Sequence, residues 1–122
     1  MKIRDAIEQV DRLRRNVYDK KDKIRWLSQL DWRVKHQVFD TSKEGENVIF
    51  SGYDENTDMD TELLVAEPYD EMYLRYLEAQ IEYYDQQEDR YNNAIALFDE
   101  VWDRFAKWYI RTHTARKYKL KY

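Results

Sequence analysis

Large apolar side chains recur along Pro68–His113 at steps of three and four: Tyr73, Leu77, Ile81 and Tyr84, then Tyr91, Ile95, Phe98, Trp102, Phe105 and Tyr109. Such steps put the side chains on one stripe of a helix. The stretch holds eleven of the chain's nineteen aromatic residues, no glycine, and one proline at its first position. Pro68 suits the first position of a helix, where Asp70 and Glu71 complement the positive end of the dipole. The stripe is interrupted by Asp85-Gln86-Gln87-Glu88-Asp89-Arg90, which has no large apolar residue. A break there folds residues 91–112 back antiparallel, so that each stripe buries against the other. No glycine or proline enforces it, and a single helix of ~44 residues, roughly 65 Å long, is the alternative.

Two further amphipathic segments precede this one. Residues 2–16 carry Ile3, Ile7, Val10 and Leu13 on one side, with arginines elsewhere. Asp19 then reads as an N-cap, with Asp22 three residues on, for a helix running to about Val38. Its apolar positions are Ile24, Leu27, Leu30, Val34 and Val38, and Trp26 begins a second flank.

Residues 40–67 abandon the helical period. Both glycines, Gly45 and Gly52, fall here among Asp, Glu, Asn, Thr and Ser, which favour turns. Asn47–Phe50 and Glu62–Val65 read as short strands that together make a hairpin. So long a connection is characteristically functional or disordered. Val48, Ile49, Phe50, Leu63, Leu64 and Val65 are too apolar for a solvated linker, which predicts an arm that is ordered or becomes ordered on a partner. At the other end, Lys117-Tyr118-Lys119-Leu120-Lys121-Tyr122 alternates basic and apolar residues. Period two is a strand signature, and a lone terminal strand can add to the edge of a partner's sheet. The bland alternative is a frayed basic terminus. The expected fold is all-α: a small antiparallel bundle of about four helices. It comprises one domain over residues 1–113, a long acidic loop or hairpin arm at 40–67, and an extended strand-like arm at 114–122.

Composition narrows the function. A chain of 122 residues fits one domain. The absence of cysteine excludes disulfides, thiolate metal sites and cysteine nucleophiles. No apolar run approaches the roughly 18–20 residues of a membrane span. Met1-Lys2-Ile3-Arg4-Asp5 lacks a secretory apolar region, so a soluble intracellular protein with no membrane partner is expected. The net charge of −4 conceals blocks. Residues 1–39 hold eleven basic and six acidic residues; residues 40–71 hold one, Lys43, against eleven acidic. Residues 72–110 hold four against eight, and residues 111–122 hold five basic and none acidic. Such segregation gives either plain solvated faces or the two unlike patches that a head-to-tail contact between copies requires. The chain lacks the concentrated Lys/Arg that bulk nucleic-acid binding needs.

Candidate chemistry is sparse. His36 and His113 are the only histidines, and neither has metal-ligand spacing. Glu78 and Glu82 lie one turn apart, but no Glu-x-x-His pair accompanies them as a di-iron bundle would need. Asp54-Glu55-Asn56-Thr57-Asp58-Met59-Asp60 lacks the central glycine of a calcium loop. There is no phosphate-cradling glycine loop and no nucleophile elbow. The expectation is assembly rather than catalysis: no enzyme, no cofactor, no metal. Four Trp and eleven Tyr exceed what a small core holds without polar tips at a wet boundary. Leu77, Ile81, Ile95, Phe98 and Phe105 are assigned to the core. Tyr76, Tyr83, Trp108 and Tyr109 are candidates for a subunit interface, where Tyr and Trp concentrate.

Thr61-Glu62-Leu63-Leu64-Val65, Pro68-Tyr69-Asp70-Glu71-Met72-Tyr73, Tyr76-Leu77-Glu78-Ala79-Gln80-Ile81 and Arg90-Tyr91-Asn92-Asn93 together resemble head–tail connector proteins. These are small adaptor subunits of tailed bacteriophages and prophages of Gram-positive hosts. Ile3-Arg4-Asp5-Ala6-Ile7 and the Trp-containing second helix are similar too, so the likeness covers roughly residues 1–113. The chain departs from the pattern at Asp85–Glu88, where relatives often carry a glycine-containing turn. The resemblance implies a virion structural protein in the neck, assembled in the host cytoplasm. It would form a ring of about twelve copies beneath the portal protein and dock a stopper or tail-completion protein. Genomic DNA would pass through the channel without sequence-specific binding. On that reading the portal side is Arg111, Arg116, Lys117, Tyr118, Lys119, Leu120, Lys121 and Tyr122. The lumen or tail-side arm is Glu44, Glu46, Val48, Ile49, Phe50, Tyr53, Asp54, Glu55, Asp58 and Asp60. The alternative is a small regulatory or nucleic-acid-binding helical module whose basic C-terminal tail contacts phosphate.

Overall fold

The computed structural model describes residues 1–113, over which the chain is mostly helical, with five α-helices and no strand among the described residues. The first, α1, spans Ile3–Leu13 and buries Ile3, Ala6, Ile7 and Val10. Leu13, the last member of its stripe, instead faces solvent. The second, α2, spans Lys20–Gln37, and the Asp19 carboxylate accepts from the Asp22 N–H at 3.1 Å, the expected N-cap. Trp26 on its flank is buried, stacked on Tyr84 with centroids 5.5 Å apart. A 3₁₀ turn at Phe39–Thr41 leads into α3, a single turn at Lys43–Glu46 capped by the Ser42 hydroxyl.

The aromatic spine divides as its pattern favours. Helix α4 spans Glu71–Tyr84 and α5 spans Glu88–Thr112. Ring pairs Tyr83–Tyr91 (5.6 Å), Tyr76–Phe98 (5.4 Å) and Tyr69–Phe105 (5.9 Å) run in opposite order along the two, so they are antiparallel. Leu77, Ile81, Phe98 and Phe105 are buried, and Ile95 packs against them. Each such side chain contributes about 1.5–3 kcal/mol by leaving water. Helix α4 also packs on α1 and α2.

The break is made without glycine. The Gln87 N–H donates to the Glu82 carbonyl (3.0 Å) and the Gln86 N–H to the Tyr83 carbonyl (3.1 Å), the paired bonds of a Schellman helix end. That motif needs a left-handed residue, and Gln86 takes it at φ 59°. A Cβ-bearing side chain is strained there, by roughly 1–2 kcal/mol. Gln86→Gly is therefore expected to stabilise the fold by about 0.5–1 kcal/mol, read as a raised urea midpoint with unchanged slope.

Two expectations are corrected. Pro68 does not begin α4. It follows a cis Glu67–Pro68 peptide and sits three residues before the helix, in turns closed by Tyr69 N–H to Ala66 O and Met72 N–H to Tyr69 O. Asp70 is consequently the N-cap residue, and only Glu71 lies in the first turn. Nor do Asn47–Phe50 and Glu62–Val65 pair as a hairpin. Glu62 instead bridges Lys2 at the head of α1, with Ile3 N–H to Thr61 O and Leu63 N–H to Met1 O. Leu63 and Val65 enter the core, so the segment is fastened to the helices and not to itself.

Candidate functional site

The loop at 47–70 is held from below by one buried carboxylate. Asp31 is 0% exposed, on the apolar side of α2. It accepts from the Tyr53 hydroxyl (2.6 Å), the Tyr73 hydroxyl (2.6 Å) and the Leu64 N–H (3.1 Å). The Tyr73 hydroxyl in turn accepts from the Val65 N–H at 2.8 Å. One side chain thus joins α2, α4 and two places in the loop. Burial pushes the Asp31 carboxyl above the usual carboxylate range, against the pull of its three donors. Burial and the neighbouring carboxylate likewise raise the Tyr53 and Tyr73 hydroxyls, keeping both as donors.

This pin spends much of what the sequence marks as an outward arm. Tyr53 is tied to Asp31, and Phe50 packs edge-on against Trp32 (4.9 Å) and Tyr53 (5.0 Å). Val48 packs on the core, while Ile49 is 93% exposed. Asp54 and Asp58 accept from the N–H groups of Asn56 and Asp60, closing their own turns. Asp60 pairs with Arg4 at 3.1 Å. Glu55 is exposed, as are Glu44 and Glu46 on α3. The acidic character is real, but it sits on a loop wrapped along the body. Among the described residues no three His, Cys, Asp or Glu side chains gather to hold a metal ion.

The four interface candidates separate sharply. Tyr83 is 57% exposed, beside Tyr84 and Tyr91. Tyr76 is half-buried against Phe98, and Trp108 half-buried against Tyr69. Tyr109 is 5% exposed, stacked on Phe39 and hydrogen-bonded through its hydroxyl to Ser42 at 2.8 Å. It therefore offers no free surface in the single chain, because the short helix α3 closes over it. Other large apolar groups also reach solvent: Leu13 and Tyr84, the last members of their helical stripes, and Val17 (90%) and Ile110, which belong to none. Val17 lies in the α1–α2 connection, where no helical phase could flag it.

Where α1 ends, Arg14 pairs with Glu82 at 2.7 Å and Asp85 at 3.1 Å, and the Tyr18 hydroxyl donates to Asp85 at 2.7 Å. That bond pushes the Tyr18 hydroxyl up to about 12. The cluster ties the α1–α2 connection to the end of α4, beneath Tyr83 and Tyr84. At the opposite end Arg111 is exposed in the last turn of α5. Arg116, Lys117, Tyr118, Lys119, Leu120, Lys121 and Tyr122, and with them the expected strand, lie outside the described residues.

Exposed apolar side chains thus stand near both ends of the α4–α5 pair. Protein-family models, characterised proteins and solved structures include no match to this chain. No helix among the described residues is long and apolar enough to cross a membrane.

Proposed function

We propose that this chain is a structural assembly subunit, a head–tail connector of a tailed bacteriophage that forms a ring between the portal and the stopper or tail. One observation carries the assembly part of the reading. Leu13, Val17, Tyr83 and Tyr84 are exposed where α4 turns into α5, and Ile110 is exposed near the other end of α5. A head-to-tail contact between copies needs two such unlike patches, and repetition of that contact closes a ring. The connector part rests on the resemblance of residues 1–113 to that family. On this reading the helices form a small antiparallel bundle, the basic tail reaches the portal, and the acidic loop faces the channel or the tail. An acidic lining would repel DNA phosphates and let the genome slide. The virion neck is the site of action, after assembly in the host cytoplasm.

The mass of the purified particle tests it. A closed ring of about twelve 15.2 kDa chains is expected, and Val17→Asp should reduce it to monomers with an unchanged helical signal. A strict monomer at high concentration that binds no portal would overturn the reading.

A further inference from the structure

We infer that the acidic groove between α1 and the 62–70 segment is the docking site of the chain's own basic terminus, residues 114–122. The groove is lined by Asp5 and Gln9 of α1 and by Glu62, Ala66, Glu67 and Asp70. Glu62 and Glu67 form no ion pair among the described residues, while Asp70 faces the Met1 amine at 3.7 Å. The groove also offers main chain. The bridge at Lys2 leaves the N–H and C=O of Glu62 pointing away from α1, as in any non-hydrogen-bonded antiparallel pair. Neither group has a hydrogen-bond partner among the described residues. An extended segment with acidic walls and one open main-chain position is thus available.

The terminus matches it in charge, period and reach. Residues 114–122 contain Arg116, Lys117, Lys119 and Lys121 and no acid, and from Lys117 onward basic and apolar residues alternate. The segment departs from a fixed point. His113 stacks on Tyr109 at 3.7 Å and lies edge-on to Trp108 at 5.7 Å; Trp108 packs on Tyr69 at 5.2 Å, next to Asp70. A nine-residue segment can reach at most roughly 30 Å, and the groove residue Asp70 directly follows Tyr69, on which Trp108 packs. A tethered occupant also enjoys a high effective concentration over any free basic peptide. The docking belongs to the free chain, before any portal engages the tail; the inference does not rest on the connector reading, and no portal enters its test.

Disulfide trapping tests it, since the chain has no cysteine. Leu120→Cys is combined either with Ala66→Cys in the groove or with Lys107→Cys, an exposed control on α5 near the start of the tail. Oxidation at low salt should close the groove pair within one chain about tenfold faster than the control pair, by effective concentration. The preference should vanish with Lys117→Glu and Lys119→Glu, two positions outside the described residues, and should fall with added salt. Equal rates for the two pairs would overturn the inference. So would a ladder of linked chains from the groove pair, which would mean that the tail enters a neighbour's groove.

Discussion

Asp31→Ala is expected to remove about 3–5 kcal/mol of unfolding free energy, a large share of the roughly 5–15 kcal/mol typical of a domain. Three donors converge on the carboxylate, and all are buried or half-buried. Truncation leaves the Tyr73 and Tyr53 hydroxyls and the Leu64 N–H without an acceptor, each costing about 1–3 kcal/mol if water cannot reach it. The loop is also held by backbone bonds of residues 59–63 to the head of α1 and by Leu63 and Val65 in the core, so only part of the cost is relieved by local release. Hydrogen exchange should then show amides of residues 61–65 losing protection while those of α4 and α5 retain it. Tyr73→Phe, which removes one donor and leaves the Val65 N–H unmet, should cost about 1–3 kcal/mol. Urea unfolding checks both values. Equal protection of the loop in wild type and Asp31→Ala would show that the apolar contacts of Leu63 and Val65 suffice to hold it.

The same residue sets a pH dependence with an unusual sign. Its carboxyl is raised by burial, so the folded chain binds a proton more readily than the unfolded chain between about 3.9 and the raised value. The stability this group contributes is full below that window and is lost as pH rises through it. Asp40 acts oppositely. Its hydrogen bond and ion pair with Lys35 lower its carboxyl, so its contribution is present above the ordinary range and is lost as pH falls. The wild type's advantage over Asp31→Asn should accordingly be largest in acid and shrink as pH rises.

How much of this was legible depends on whether the signal was local. The stripes of α1, α2, α4 and α5 are periodic, and their helices appear within a few residues of where periodicity puts them. The α4–α5 break was legible as an absence of apolar residues. Its mechanism was not, because Gln86 in a left-handed conformation carries no sequence mark. The 40–67 segment was misread as a hairpin because its apolar runs alternate only briefly. Their partners are α1, Asp31 and Tyr73, the last two linked over a separation of 42 positions. A hint existed: Asp31 falls in phase with Leu27 and Val34, a charged residue inside an apolar stripe. Such a residue has to find donors, and here two tyrosine hydroxyls and one loop N–H supply them. Tyr109 was placed at an interface because α3, four residues long, has no period to announce that it covers the ring.

That cover makes Gly45→Ala the second large effect, expected to cost about 2–4 kcal/mol. A Cβ at Gly45 would run into the carbonyl of Phe39 and the hydroxyl of Tyr109, and only the hydroxyl end could move aside. The Gly45 N–H donates to the Ser42 hydroxyl at 2.9 Å, and that hydroxyl is bonded to Tyr109 at 2.8 Å. On the other side the Gly45 carbonyl accepts from the Lys35 ammonium at 3.1 Å. The turn of α3 is therefore wedged between the end of α2 and the last turns of α5, with no room to back away. Displacing it should loosen α5 from Phe105 onward and leave the α4–α5 ring pairs nearer the turn intact. Hydrogen exchange distinguishes the two regions. Tyr109→Phe is the control: it keeps the stack on Phe39 and loses only the bond to Ser42, so about 1 kcal/mol is expected. The difference matters for function because His113, stacked on Tyr109, is where the basic terminus departs. If the terminus docks in the acidic groove, Gly45→Ala should slow trapping of the groove pair by misplacing its origin, while Tyr109→Phe should leave the rate unchanged.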